Sequence, residues 1–172
     1  RKDDLGVRLA LGDLGLLALE LGDYNGALKL IEEAVSLCRD AKDTYNLLIA
    51  LHNLALVALE QQQHARAFEL EQEAVQLAAA VGARQGLANS LEGLAAASHG
   101  DPSRAAQLLG AAAKLLEQTG HSLEPVERVL HDRTVSALRE CLPPDRFESA
   151  WEDGAAMSVE EMVAYALETS ST

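Results

Sequence analysis

Apolar residues recur along this chain with the spacing of one helix face, and that face returns at intervals of 40 residues. Within each copy the positions follow i, i+3, i+4, i+7, i+8 and i+11, the pattern of an amphipathic α-helix. The aligned sets are Val7/Leu47/Leu87, Ala10/Ala50/Ser90, Leu11/Leu51/Leu91, Leu14/Leu54/Leu94, Gly15/Ala55/Ala95 and Ala18/Ala58/Ser98. The pattern predicts three equivalent helices.

A second apolar face follows each of these helices. Its positions are Ala27, Leu30, Ala34 and Leu37, then Ala67, Leu70, Ala74 and Leu77, then Ala105, Leu108, Ala112 and Leu115. The last copy follows after 38 residues instead of 40, so two residues are missing between Ser98 and Ala105. A turn is expected in this stretch, and turns tolerate changes in length. Gly22-Asp23 and Gly100-Asp101-Pro102 mark such turns. A helix–turn–helix unit repeated three times predicts a solenoid.

We therefore predict an all-α fold, a solenoid of three helical hairpins plus a C-terminal helical cap. Leu and Ala supply most of the apolar residues and aromatic residues are only 3% of the chain, a composition that favours helices over strands. The hairpins would occupy residues 1–120, at about 1–40, 41–82 and 83–120, and the capping helices 121–172. The stretch SRAAQLLGAAAKLL, residues 103–116, is the expected second helix of the third hairpin. Its small residues, Gly110 among them, would allow close packing between helices.

The capping segment carries its own helix signals. Glu124-Pro125 would begin a helix that ends near Leu142, before Pro143-Pro144. Phe147 and Trp151, four residues apart on the next helix, should pack inward. The remaining expectations are Gly154 as a C-cap and a Ser158/Glu161 capping box for the last helix.

The first unit resembles a tetratricopeptide repeat. Leu14-Gly15, Ala18, Gly22, Tyr24, Ala27 and Ala34 fall at the signature spacing of that repeat. The second unit keeps Leu54, Ala58, Ala67 and Ala74. It departs from the signature with Gln62 at the turn glycine and His64 at the aromatic position, so we expect its turn to be less well specified.

The C-terminal third resembles the end of large bacterial signalling proteins. The residues that carry this likeness are SRAAQLLGAA from Ser103 and FESAWEDGAAMSVEE from Phe147. The similar proteins include ATPase-linked LuxR-type and SARP-type transcriptional regulators, with related cyclase and kinase fusions, in which a tetratricopeptide array follows an NTPase module. The resemblance implies a cytoplasmic interaction or regulatory module within such a regulator or signalling ATPase. DNA binding by the parent protein would then reside in another domain.

Charge and composition narrow the possible partners. The 172 residues include 27 acidic and 14 basic side chains, a net charge of −13 that opposes nucleic acids and anionic membranes. The longest uncharged run, residues 44–59, is too short and too polar to span a membrane. Cys38 and Cys141 read as buried free thiols in a reducing cytosol. A chain that starts at Arg1 without Met reads as a fragment of a longer protein.

No reactive constellation stands out in the sequence, so we predict no enzymatic activity, no cofactor and no metal. Metal-binding, phosphate-binding and nucleophile motifs are absent. No two of the five histidines (His52, His64, His99, His121 and His131) are three or four residues apart, so no helix presents a histidine pair.

In tetratricopeptide arrays the first helix of each hairpin lines the concave wall. The polar residues that the repeat register places there are Asp13, Glu20, His52, Asn53, Glu60, Asn89 and Glu92. His52 and Glu92, one repeat apart, would lie on adjacent helices. Each residue also has a structural interpretation: His52 could hydrogen-bond across the stack, Asn53 could bind a backbone carbonyl, and the glutamates could face solvent.

Three functions remain open for this wall. It could bind a protein partner or another domain of its own chain, or it could bind a small-molecule inducer. The segment could also only space or dimerise the parent protein, whose oligomeric state the sequence does not reveal. An acidic wall favours a cationic or hydroxyl-rich ligand. Three hairpins form less than one superhelical turn, so the groove should be open, which favours a protein contact.

Overall fold

The structure is a computed structural model that describes residues 4–98 and 100–168, and within these ranges it is helical and contains no strand. The helices are α1 (Asp4–Glu20), α2 (Tyr24–Ala41), α3 (Thr44–Glu60), α4 (His64–Val81), α5 (Arg84–Ala97), α6 (Pro102–Thr119), α7 (Pro125–Cys141), α8 (Pro144–Ala156) and α9 (Val159–Leu167). Helices α1 to α6 pack successively as three hairpins. The predicted all-α solenoid is confirmed. His99 lies outside the described residues.

The first two hairpin turns have the same geometry, 40 residues apart. Gly22 and Gln62 both adopt left-handed backbone, with φ of 78° and 58°. Their amides donate to the carbonyls of Leu19 and Leu59, which are equivalent positions. The second turn keeps this geometry with Gln62 in place of glycine, but it lacks the side-chain cap of the first turn, in which Asp23 accepts a hydrogen bond from the amide of Gly26. The hydrogen bonds of the turn compensate for the strain of a side chain at positive φ.

The core runs along the stack between successive helices. Ile31, Leu51 and Ala55 belong to a buried cluster in the first two hairpins, and Leu91 and Leu109 to a second cluster around α5 and α6. Phe68 and Leu77 of α4 pack against both clusters and so join them. Each fully buried leucine contributes about 1.5–3 kcal/mol relative to an exposed one.

The backbones of helices α6 and α8 approach each other closely, and two glycines make this possible. A Cβ on Gly110 would lie 2.0 Å from the carbonyl oxygen of Trp151, and one on Gly154 would lie 1.9 Å from that of Gln107. The earlier position in α6, Gln107, meets the later position in α8, Gly154, so the two helices are antiparallel. Gly110 thus has the packing role predicted for it. The C-cap assignment of Gly154 is wrong, because α8 continues to Ala156 and its C-cap is Met157.

The ends of the cap helices follow the sequence signals. Helix α7 ends at Cys141, ahead of the proline pair. Ser158 and Glu161 form the capping box of α9, in which each residue's backbone amide donates to the other's side chain. The rings of Phe147 and Trp151 lie 5.7 Å apart between centroids, and Phe147 is buried.

Helix α9 lies against α4 and α6, and arginine ties its C-terminal end to α6. The guanidinium of Arg104 donates to the carbonyls of Tyr165 and Glu168. It also stacks 4.5 Å from the centre of the Tyr165 ring. An arginine at this end of a helix binds the otherwise unpaired carbonyls and favours the local dipole. The cap is therefore fastened by polar contacts as well as by its apolar residues.

One side of α1 stays uncovered among the described residues. Leu14 is 52% exposed, whereas the repeat-equivalent Leu54 and Leu94 are 5% and 0% exposed. The difference arises because α2 covers α3 and α4 covers α5.

Both cysteines are free thiols, but only Cys38 is buried. The expectation of a buried thiol is wrong for Cys141, which lies exposed at the end of α7. Burial raises the pKa of the Cys38 thiol, which makes it less reactive. Among the helices of the described ranges, none has the length and apolar character that crossing a membrane would require.

Candidate interaction site on the concave wall

The concave wall is the surface formed by α1, α3 and α5. These first helices of the three hairpins pack side by side, α1 on α3 and α3 on α5. The seven residues predicted for the wall differ in burial. Asp13 and Glu20 are exposed on α1, Glu60 and Asn89 are half-buried, and His52, Asn53 and Glu92 are buried.

Helix α7 lies on this wall and covers its α3 and α5 part. Glu127 of α7 meets His52, and Arg133 of α7 meets Glu60. The residue later in α7 pairs with the residue later in α3, so the two helices run in the same direction. Leu130 is buried in the core cluster of the first two hairpins. The segment expected to cap the end of the stack thus begins with a helix that occupies the groove.

His52 is the centre of a buried hydrogen-bond network. Its Nδ1 donates to Oε1 of Glu71 at 2.8 Å, and its Nε2 donates to Oε1 of Glu127 at 3.2 Å. The same oxygen of Glu127 accepts a hydrogen bond from Nδ2 of Asn89 at 2.7 Å. The other oxygen of Glu127 accepts from the backbone amide of Glu124 at 2.8 Å. The network joins α3, α4, α5 and α7.

This arrangement holds His52 as an imidazolium, because both ring nitrogens face carboxylates. Burial alone would lower the pKa of His52, but the charges and hydrogen bonds of Glu71 and Glu127 outweigh it and raise the pKa to about 10. Burial would raise the pKa of Glu127, yet the contact with His52 holds it below its usual value. For Glu71, burial dominates and raises the pKa.

His131 of α7 and Glu92 of α5 form a further charged contact between α7 and the wall, near the middle of α5. Nδ1 of His131 lies 2.9 Å from Oε2 of Glu92. The hydrogen bond that His131 donates to Glu92 is the main reason that the pKa of His131 is raised, and burial raises the pKa of Glu92. His52 and Glu92 do lie on adjacent helices, as their spacing predicts, but each is bound to a partner on α7.

Sequence reasoning missed the residues that complete these contacts. Glu71 lies on α4, the second helix of a hairpin, whereas the prediction considered only the first helices, so Glu71 was not selected. Gly93 makes room for it, since a Cβ there would lie 1.9 Å from Oε1 of Glu71. Glu127 and His131 are four residues apart, which places them on one face of α7. That spacing was the available signal for a polar stripe facing the wall.

The α1 end of the wall and the first turns of α3 remain open. Leu9, Tyr45 and Ile49 are 47%, 55% and 40% exposed there, in the same region as Asp13 and Glu20. A cavity of about 190 Å³ lies where this open part meets the start of α7. Within residues 4–98 and 100–168, no group of three or more His, Cys, Asp or Glu side chains could hold a metal ion.

Comparison with known proteins bears on the repeat fold. Residues 6–80 match the family model for the tetratricopeptide repeat. Over 84 residues the chain is 39% identical to proteins named "Putative HTH-type transcriptional regulator" in Mycobacterium bovis and in two strains of Mycobacterium tuberculosis. The match covers 48% of this chain, and the chain spans about 10% of the length of each of these curated relatives. No solved structure matches. Residues 6–80 are therefore similar to tetratricopeptide repeats, in agreement with the helical hairpins that they form.

Proposed function

We propose that the chain is a non-catalytic interaction and regulatory module of a bacterial transcriptional regulator, acting in the cytoplasm. Its concave wall would bind a protein partner or another domain of the same polypeptide. The repeat family and the names of the mycobacterial relatives support this role. DNA binding would belong to another domain, because this chain has a net charge of −13.

The observation that carries the proposal is the helix already seated on the wall. α7 binds by a buried leucine, Leu130, flanked by the charged contacts of Glu127 and His131. This is the way an amphipathic helix lies in a groove, with an apolar stripe as anchor and polar residues that set the register. The wall can therefore hold a helix, and α7 occupies only part of its length.

The open part of the wall is the surface that we assign to the partner. Leu9, Tyr45 and Ile49 offer apolar area, and Asp13 and Glu20 supply negative charge beside it. A complementary partner is an amphipathic helix with basic residues flanking its apolar stripe. The other residues predicted for the wall lie under or beside α7, and they would contact such a partner only if α7 dissociated from the wall. These residues are His52, Asn53, Glu60, Asn89 and Glu92.

The test is direct binding to the other domains of the same polypeptide, purified separately and titrated by fluorescence anisotropy. The double variant Leu9→Lys/Ile49→Lys should bind the interacting domain at least tenfold more weakly, because it places charge on the apolar anchor. Val129→Lys is the matched control, since Val129 is 65% exposed on the outer side of α7. Equal weakening by the control variant, or binding by no domain, would refute the assignment.

A further inference from the structure

The cavity of about 190 Å³ between the wall and the start of α7 has a polar floor and an apolar side. Tyr45 and Ile49 of α3 form the apolar side. Asn53 and Asn89 lie on the wall, and Glu124 and Glu127 belong to the start of α7. The cavity is therefore shared between the two surfaces that α7 brings together.

Asn53 is a buried amide that lines this cavity without a hydrogen-bond partner. The residue is only 5% exposed, and no side-chain hydrogen bond of its amide is seen among the described residues. Its amide atoms are not among the fully buried unpaired ones, so they reach the cavity. An amide offers two donors and an acceptor, which can pair with polar groups inside the cavity. A ligand in the cavity would supply the missing partner.

The charge around the cavity is negative. Glu124 and Glu127 line it, and none of the lysines and arginines in the described ranges does so. His52 also lines the cavity, but its imidazolium is already bound between Glu71 and Glu127. The carboxylate of Glu124 has no ion pair among the described residues and supplies the negative charge. A cation gains most from such a site, particularly where water is partly excluded.

The volume limits the ligand to a small molecule. One water molecule takes up roughly 30 Å³ of liquid, so the cavity suits about six to ten non-hydrogen atoms. Pockets for drug-sized ligands begin at about 300 Å³. An apolar body of a few carbon atoms would fit against Ile49.

We propose that this cavity is a binding site for a short aliphatic amine. The ammonium group binds the carboxylates of Glu124 and Glu127, the aliphatic body packs against Ile49, and a second polar group pairs with the amide of Asn53. The ligand contacts α3 and α7 at once, so it holds α7 on the wall. The site goes beyond the proposed protein contact, with which it shares Tyr45 and Ile49 at its edge.

Calorimetric titration of the 172-residue protein with three four-carbon compounds of equal length tests the ligand class. Putrescine carries two ammonium groups, butane-1,4-diol two hydroxyls and succinate two carboxylates. We expect putrescine to bind at least tenfold more tightly than the other two. Absence of binding by putrescine, or equal binding of the diol, would overturn the proposal.

Two variants locate the site. Glu124→Gln removes one carboxylate from an exposed position, and Asn53→Leu removes the buried amide at similar volume. Each should weaken putrescine binding about tenfold, while Glu148→Gln, an exposed carboxylate on α8, should leave it unchanged. Circular dichroism confirms that each variant folds. If Asn53→Leu does not fold, Glu124→Gln decides alone, and unaltered binding by it would contradict the site.

Hydrogen exchange gives a second readout. Putrescine should slow amide exchange in α7 at least threefold and leave α9 unchanged, because α7 borders the cavity and α9 does not. A uniform change in all helices would contradict a site at the α7 junction. The protein-binding proposal is tested by anisotropy without any amine, and the amine site is tested by calorimetry without any protein partner. Failure of one proposal can therefore be distinguished from failure of the other.

Discussion

At the scale of single residues, the wall depends most on a histidine held between two carboxylates. Glu71 and Glu127 bind the two ring nitrogens of His52, and all three side chains are buried. Removing one member of a buried charged group leaves the others without a partner, which costs about 3–5 kcal/mol. The buried location makes this network more important for stability than any exposed ion pair on the surface.

His52→Gln should therefore destabilise the protein, and the loss should depend on pH. The pKa of His52 is raised to about 10 in the folded protein, against 6.5 when unperturbed. A raised pKa means that stability from this group is complete below about pH 6.5 and is lost as pH rises through about 10. We expect a loss of about 3 kcal/mol at pH 6 and a clearly smaller one at pH 10. Urea unfolding at pH 6, 8 and 10 measures it.

The control for this prediction is His121→Gln, at an exposed position before α7. It should change the free energy of unfolding by no more than about 0.5 kcal/mol at any of these pH values. A difference between wild type and His52→Gln that stayed constant from pH 6 to pH 10 would show that the imidazolium is not the stabilising form.

At the scale of helices, small residues decide how closely the elements pack. Gly110 and Gly154 let the backbones of α6 and α8 come together, and any larger side chain would meet a main-chain carbonyl there. Gly12 of α1 has the opposite surroundings, because a Cβ added to it would meet nothing within 4 Å. The same residue type therefore serves packing at one place and has no packing role at the other.

Gly110→Ala and Gly12→Ala should have opposite effects on stability. The first forces α6 and α8 apart and should cost about 3 kcal/mol, at the upper end for overpacked sites. The second should stabilise the protein by about 0.5–1 kcal/mol, because alanine loses less backbone freedom in a helix than glycine does. Thermal and urea unfolding of both variants provide the comparison. If Gly110→Ala unfolded like wild type, the close approach of the two helices would be incorrect.

At the scale of the whole molecule, α7 links the C-terminal segment to the concave wall. Glu127 is its main attachment to the wall, because it accepts hydrogen bonds from His52 of α3 and Asn89 of α5. Arg133 binds Glu60 at 2.7 Å, but its side chain is 53% exposed. Exposed ion pairs contribute little, so the two attachments should differ in strength.

Glu127→Ala should loosen α7 without unfolding the hairpins. We expect a loss of about 2–3 kcal/mol, since a buried charged acceptor and its partners are separated. Arg133→Ala should cost less than about 1 kcal/mol. Hydrogen exchange measured by mass spectrometry should show faster exchange in α7 for the first variant, with α4 protected as in wild type. Similar exchange in α7 for both variants would argue against Glu127 as the main attachment.

The sequence by itself determined the helices, their repeat and most of their ends. A period of 3.6 residues and turn signals such as Gly22-Asp23 act within a dozen neighbouring residues, so they can be read without the fold. The repeat register also predicted that His52 and Glu92 lie on the wall, where they contact Glu127 and His131 of α7. Asp13 and Glu20 fall on the same wall but remain exposed.

Only the tertiary structure decided where α7 lies and which charges meet. The contact between His52 and Glu127 joins residues 75 positions apart, so no local pattern in the sequence indicates it. Gly154 misled for the same reason, because a glycine near the end of a helix signals a cap in sequence but here serves a close approach to α6. Local patterns define which face of a helix is apolar, whereas the partner of that face depends on the free energy of packing the whole chain.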